Sequence, residues 1–334
     1  MTNLRSTHAL AACLTVGALV VTAAPLSASA RAADPNLDAR CLGNGPIAAA
    51  SLARGTSAPA CSLVGRVVTS GRVSVVVPPA GMSVAGEGTA THGEPASLRV
   101  TNTGTTVHAV TGGSSGAGAS TSGRAVTSAR ASDPPACQDR TFHLEGHRWG
   151  RSLDYHVNLG HMPERYAKKV VIRQIRTGND NMRHGRNTCG KARLKTPRSH
   201  YLGRTRARPN IDPGSTSVKC GEPNTKNVVG FGSLPGGLLG WTCYWWYDDG
   251  RIGAVDIMVD TGNRLRTHLP KSCTDSYDVE GVLTHEWGHA YGLGHTGPGH
   301  ANLTMQHRFR PCSTYARTLG LGDWLGMKKM YGAR

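Results

Sequence analysis

The stretch His285-Glu286-Trp287-Gly288-His289-Ala290-Tyr291-Gly292-Leu293-Gly294-His295 gathers three imidazoles and a carboxylate within eleven residues. On a helix, positions i and i+4 share one face about one turn apart, so His285 and His289 can present ring nitrogens to a single metal ion. Glu286 is rotated by about 100° from its neighbour at ~3.6 residues per turn, so it can reach a water at the metal without itself being a ligand. A catalytic zinc usually has three protein ligands and an open position. Gly292 and Gly294 explain how the third ligand arrives. Glycine tolerates positive φ and commonly ends helices, so the chain can turn at Gly292 and bring back His295. A lone His-x-x-x-His pair arises readily by chance. The added Glu, helix-ending Gly and third His make a metal centre the stronger reading. The expected chemistry is hydrolysis by a zinc-activated water, with Glu286 as general base.

Several elements must position this group. The apolar residues Val279, Val282 and Leu283 fit a helix from about Asp278 to Tyr291 packed on a core, with Ser276 or Asp278 as its N-cap. Upstream, Asp154–Asn158 reads as a first strand and Glu164–Arg176 as a helix, with Met162-Pro163 at its start and Gly178 at its stop. Residues 184–226 are basic and turn-rich, with no clear period. Asn227–Phe231, Leu238–Tyr247 and Ile252–Val259 read as three strands, separated by Gly236-Gly237 and Asp249-Gly250. A last helix spans about Asp323–Met330. Strand, helix, several strands and two helices make an α+β class.

The histidine pattern with its glycine, His-Glu-x-x-His-x-x-Gly-x-x-His, resembles the signature of the metzincin clan of zinc peptidases. That clan also carries a methionine-containing turn beneath the metal, and Leu303-Thr304-Met305 resembles it. Within the clan the chain is most similar to the matrixins. Leu319–Gly332 resembles their terminal helix and Ala254–Val259 the strand ahead of their zinc helix. With Trp149 and Tyr155, the likeness covers roughly 140–333. It implies a metzincin-like domain with a twisted mixed sheet, a long helix after the first strand, a zinc-binding active-site helix and a C-terminal helix. It also implies a protein or peptide substrate that adds as an extra strand along an edge within Leu238–Tyr247. Met305 would support the base of the site rather than bind zinc. Thr296 stands where matrixins usually have Ser. His307 follows the turn Met by two residues and could approach the zinc, but three ligands already suffice and a surface position is the expectation. One catalytic Zn2+ is implied; a structural second zinc has no clear counterpart here, and bound Ca2+ is allowed although no residue pattern supports it. Cys220-Gly221-Glu222-Pro223-Asn224 resembles the cysteine-switch peptide of matrixin precursors, but it lies inside the expected catalytic domain, where a disulfide is the better reading.

The rest of the chain bounds the setting. Arg5, an apolar run over Ala9–Ala24 and Ala28-Ser29-Ala30 read as a cleaved secretory signal over 1–30, because about 16 apolar residues fall short of the ~20 that span a bilayer. No later stretch is long and apolar enough to span, so a secreted, extracellular product is expected; a monomer is the expected state. Apart from Cys13 in the signal, eight cysteines remain, an even number suited to disulfides in an oxidising compartment. They allow on the order of a hundred connectivities. Cys273 and Cys312 bracket the metal motif and make the best single pairing; Cys41 and Cys61 are suited to stapling the N-terminal part. Residues 31–110 are β-rich, with Arg66–Val68, Arg72–Val77 and Ser97–Thr101 as strands, and read as a propeptide or a retained β region. Residues 111–136 have the Gly/Ser/Ala composition of a linker. All six Trp and all three Phe fall at or after position 142, so the main packed core is expected within 137–334.

The formal charge is +17, and nine Lys or Arg with no acid lie between Arg183 and Arg208. A solvated basic face is the simpler reading, since no nucleic-acid motif or aromatic interleaving accompanies the charge. Two alternatives come from other classes. One is an extracellular binding protein with a vestigial metal site. The other is a basic module that binds an anionic polymer, such as a cell-wall polymer, through Arg183–Arg208.

Overall fold

The computed structural model describes residue 41 and residues 45–92, 97–112, 133–262 and 264–334. The signal over 1–30 and most of the linker over 111–136 lie outside the described residues. The fold is mixed α+β. Its main strands are β1 Val67–Ser70, β2 Val73–Val76, β3 Met82–Ala90, β4 Ser97–Asn102, β5 Thr106–Gly112, β6 Leu153–Val157, β7 Ser199–Arg204, β8 Ile211–Pro213, β9 Val218–Cys220, β10 Asn227–Gly232, β11 Leu238–Tyr247 and β12 Ile252–Asp260. Its long helices are α1 Lys168–His184, α2 Val279–Tyr291 and α3 Leu321–Tyr331.

A nine-stranded sheet runs in the order β7-β6-β10-β12-β11-β3-β4-β5, closed by the short strand Thr56–Ser57. From β7 to β12 the neighbours are parallel; from β12 onward every pair is antiparallel. The second sheet has five strands, Ile47–Ala48 followed by β1, β2, β9 and β8. Residues before 112 and after 133 therefore contribute to both sheets.

Period-2 alternation along the strands makes two cores, one on each face of the large sheet. On β11, Tyr244 and Trp246 face the helices, while Trp241, Cys243 and Trp245 face the second sheet. On β12, Val255, Ile257 and Val259 face the helices and Met258 the second sheet. The helix-side core joins these to Ile175, Leu283 and Trp287. The second core brings Val68, Val75, Val84 and Val100 from the N-terminal region against Trp241, Trp245 and Met258. Each such side chain contributes about 1.5–3 kcal/mol on burial, so the two sequence regions are strongly joined.

The eight expected cysteines form four disulfides, Cys41–Cys61, Cys137–Cys189, Cys220–Cys243 and Cys273–Cys312. Among the described residues no helix is long and apolar enough to cross a membrane. The basic stretch lies mostly on the surface, with Lys191, Arg193, Lys195, Arg198, Arg204, Arg206 and Arg208 exposed.

Two expectations need correction. The first helix begins at Lys168 rather than Glu164 and continues past Arg176 to His184, ending at Gly185 with φ 65°. Gly178 is not a stop. It sits inside α1 where a Cβ would lie 3.0 Å from Leu283 Cβ and 3.1 Å from the Thr284 nitrogen, so its missing side chain lets α1 lie close against α2. Gly178→Val is expected to force the helices apart and to cost about 1–3 kcal/mol, measured by denaturant unfolding. The second correction concerns β11, which is not an edge: β12 flanks it on one side and β3 on the other. Nothing in the Gly-containing run Met82–Ala90 has the alternation of an exposed strand, because both of its faces are covered.

Candidate metal centre

Helix α2 starts where the Asp278 side chain accepts a hydrogen bond from the Gly281 amide at 2.7 Å. Arg317 donates to the same carboxylate at 2.8 and 2.6 Å, which ties the helix start to the segment before α3. Asn181 of α1 donates to Glu280 and to the Thr284 hydroxyl, both at 3.2 Å. The Trp287 indole donates to the Ile175 carbonyl at 3.1 Å, and the Trp149 indole to the Ala290 carbonyl at 2.7 Å. The helix that carries the site is thus fixed at both ends and along its length.

His285 and His289 lie one turn apart with their Nε2 atoms 2.9 Å from each other. The helix ends at Gly292, whose φ is 102°. A Cβ there would also lie 2.3 Å from the His147 carbonyl oxygen, so glycine is required twice over. Leu293–Gly294 pairs with His143–Leu144, and the Thr296 amide donates to the Met305 carbonyl at 3.1 Å. These bonds deliver His295, whose Nε2 is 3.2 Å from that of His285 and 3.1 Å from that of His289.

The hydrogen bonds assign the tautomers. His285 Nδ1 donates to the Thr304 carbonyl at 2.6 Å and His289 Nδ1 to the Leu293 carbonyl at 2.9 Å. A carbonyl only accepts, so the proton of each neutral ring is on Nδ1 and each Nε2 offers a lone pair. Burial lowers the pKa of all three histidines, and the nearby imidazoles lower those of His285 and His295 further. Lone pairs this close repel one another unless a cation lies between them. The three residues can hold a metal ion, and the carbonyl-bound Nδ1 atoms provide the outer support such ligands need.

Below the ligands, a Cβ at Gly288 would lie 2.2 Å from Met305 Sδ, so the methionine packs directly against the helix turn between His285 and His289. Met305 is buried in the helix-side core. Its backbone is held by Asp323 of α3, which accepts from the amides of Thr304 at 2.7 Å, Met305 at 3.0 Å and Gly320 at 2.8 Å. Burial pushes the Asp323 carboxyl up to about 6 against these donors. Asp323→Ala strands three buried amides. It is expected to cost about 3 kcal/mol or more, at roughly 1–3 kcal/mol for each unsatisfied group. Chemical denaturation checks this, with Asp323→Asn the milder control. The Cys273–Cys312 bond joins the segment before α2 to the one after Met305. His307 is not at the surface. It is 4% exposed, with its ring centroid 5.9 Å from that of His295, because its backbone carbonyl accepts from Ala90 and draws the segment inward.

Glu286 is fully buried. Its Oε1 accepts from the Thr89 amide at 3.2 Å and the Thr89 hydroxyl at 2.9 Å. Its Oε2 accepts from the Thr242 hydroxyl at 2.7 Å. Burial pushes the carboxyl up to about 8, opposed by these donors. A Cβ at Gly240 would lie 2.5 Å from Oε1, so β11 must have glycine where it passes the carboxylate. Glu87 lies two residues before Thr89 on the same face of β3. It accepts from the Tyr244 hydroxyl at 2.9 Å, and its Oε2 is 3.2 Å from His289 Nδ1 and 4.0 Å from His295 Nδ1.

The structure therefore brings His285, His289, His295, Glu286 and Met305 together. Sequence reading missed Glu87, Thr89, Thr242 and Asp323. Asp323 carried a faint signal as an acid in the first turn of a helix; the other three carried none. A scan of the chain against protein-family models finds no match, and a search of curated proteins finds no relative.

Proposed function

We propose that the chain is a secreted zinc-dependent endopeptidase of the metzincin type, matrixin-like in architecture. The observation that carries this reading is the convergence of three Nε2 lone pairs within 2.9–3.2 Å, with the carboxylate of the next helical residue alongside. Three neutral imidazoles with one side left open suit catalytic zinc better than calcium or magnesium, which take oxygen ligands. The methionine against Gly288, the antiparallel strand β11 beside the α2 carboxylate and the terminal helix α3 are the parts that the resemblance implies, and they support the same reading.

When bound, zinc supplies Lewis-acid activation of the carbonyl and of water. The protein supplies the remainder. His285, His289 and His295 hold the ion, with their tautomers set by the Thr304 and Leu293 carbonyls. Glu286 takes a proton from the attacking water and passes it to the leaving nitrogen. Four disulfides suit an oxidising compartment outside the cell.

Metal analysis and unfolding test this directly. One zinc per chain is expected after dialysis, and chelation should lower Tm, since a ligand at about 100 times its Kd stabilises by roughly 2.7 kcal/mol. Peptide hydrolysis that chelator stops and added zinc restores completes the case. A chain that binds no zinc would defeat the reading.

A further inference from the structure

Strand β3 does more than extend the sheet. Over Met82–Gly86 it is flanked by β11 on one side and β4 on the other. Beyond Gly86 it leaves β4 and crosses the metal centre. There it remains antiparallel to β11, and its far side meets the segment after Met305. The Ala90 amide donates to the His307 carbonyl at 3.1 Å, and the Phe309 amide to the Ala90 carbonyl at 3.1 Å, in a parallel bridge. The Thr91 amide donates to the Gly237 carbonyl at 2.9 Å. An extended peptide held by main-chain bonds on both sides is how a strand-adding ligand sits in a groove. The fit is close: a Cβ at Gly88 would lie 2.2 Å from the Gly240 carbonyl oxygen.

We propose that residues Glu87–Thr91 are a built-in occupant of the peptide groove, and that the chain is self-inhibited through the contact of Thr89 with Glu286. This rests on the endopeptidase reading given above. Both oxygens of Glu286 are taken by threonine hydroxyls, and the Thr89 amide adds a third donor. A buried carboxylate with three protein donors has most of its acceptor sites taken, which obstructs the approach of the water it must deprotonate. Glu87 packs against His289 and His295 from their Nδ1 side and so anchors the strand to the histidine group. Among the described residues no disulfide joins the region before residue 112 to the region after residue 133, so the contacts that seat the cover are non-covalent. Cys220 plays no part, being bonded to Cys243. The shared second core keeps the cover seated in the intact chain.

The test uses the full zinc-loaded chain and a short peptide hydroxamate, whose binding needs the metal and the groove but no hydrolysis. Hydrogen–deuterium exchange is followed over Met82–Ala90 and Leu238–Tyr247. Two results support the proposal: no binding at millimolar ligand, or binding accompanied by faster exchange in Met82–Ala90. Binding with Met82–Ala90 exchange unchanged or slowed overturns it. Thr89→Val, which removes only the hydroxyl, is expected to bind the hydroxamate about 10-fold or more tightly, because a hydrogen bond to a charged group is worth roughly 1.5–3 kcal/mol. Thr89→Ser should behave as wild type. Unchanged affinity in Thr89→Val removes Thr89 from the role. If the hydroxamate results hold but no form hydrolyses peptides, occupancy of the groove by Glu87–Thr91 stands and the endopeptidase reading fails, and inhibition of it with that reading. If wild type hydrolyses long peptides as fast as Thr89→Val, self-inhibition fails and the endopeptidase reading stands.

Discussion

Glu286→Gln is expected to keep one zinc per chain and to lose peptide hydrolysis by on the order of a thousandfold or more, at the upper part of the range for a positioned general base. The reasoning is steric as well as electronic. Glutamine has the same shape, so it still fits beside Gly240 and can still accept from Thr242 through its oxygen. Its amide cannot take a proton from water. The metal ligands do not touch the replaced atoms, because their Nδ1 atoms are held by the Thr304 and Leu293 carbonyls. Zinc content by metal analysis and single-turnover cleavage, measured in the wild-type and Thr89→Val backgrounds, separate the two effects. Retained turnover with Gln at position 286 would assign the base elsewhere.

His289→Ala is expected to remove zinc from the dialysed protein and to lower Tm toward that of the chelated wild type. With one of three ligands gone, the remaining pair cannot hold the ion against dialysis. His289 is the most informative ligand to remove, since its Nε2 is close to both partners while its Nδ1 stands between the Leu293 carbonyl and Glu87. The substitution also opens a buried gap, so a loss of stability beyond that of the metal-free wild type is expected. It should be on the order of 1–3 kcal/mol for a carbonyl left unpaired. Adding zinc back should restore wild-type Tm but not that of His289→Ala. If the variant keeps stoichiometric zinc, the ligand set is wrong.

The convergence of the three histidines was legible in the sequence because it is local. His285 and His289 share a helix face by the period of the helix, and Gly292 announces the turn that brings back His295 within one short segment. The strands β11 and β12 were legible for the same reason, as was an N-cap at Ser276 or Asp278, of which the structure uses Asp278, since alternation and capping act between near neighbours. The length of α1 was not, because a glycine reads as a stop unless the surface packed on it is known; Leu283 lies over a hundred residues away.

The chain's own sequence thus determined the three-histidine group and the carboxylate beside it, since a few residues at helical spacing can converge on one point without help from distant segments. Only the tertiary structure decided what surrounds that group. The resemblance implied an edge within β11, but Met82–Ala90 pairs with it and puts Thr89 on Glu286, a contact across 197 residues. Main-chain pairing between distant strands depends on which edges the two cores leave open, and nothing in the run from Met82 to Ala90 encodes its partner. The same packing drew His307 inside and set Asp323 under Met305. The residues that would perform the chemistry are written locally, while access to them is set by a strand from the other end of the fold.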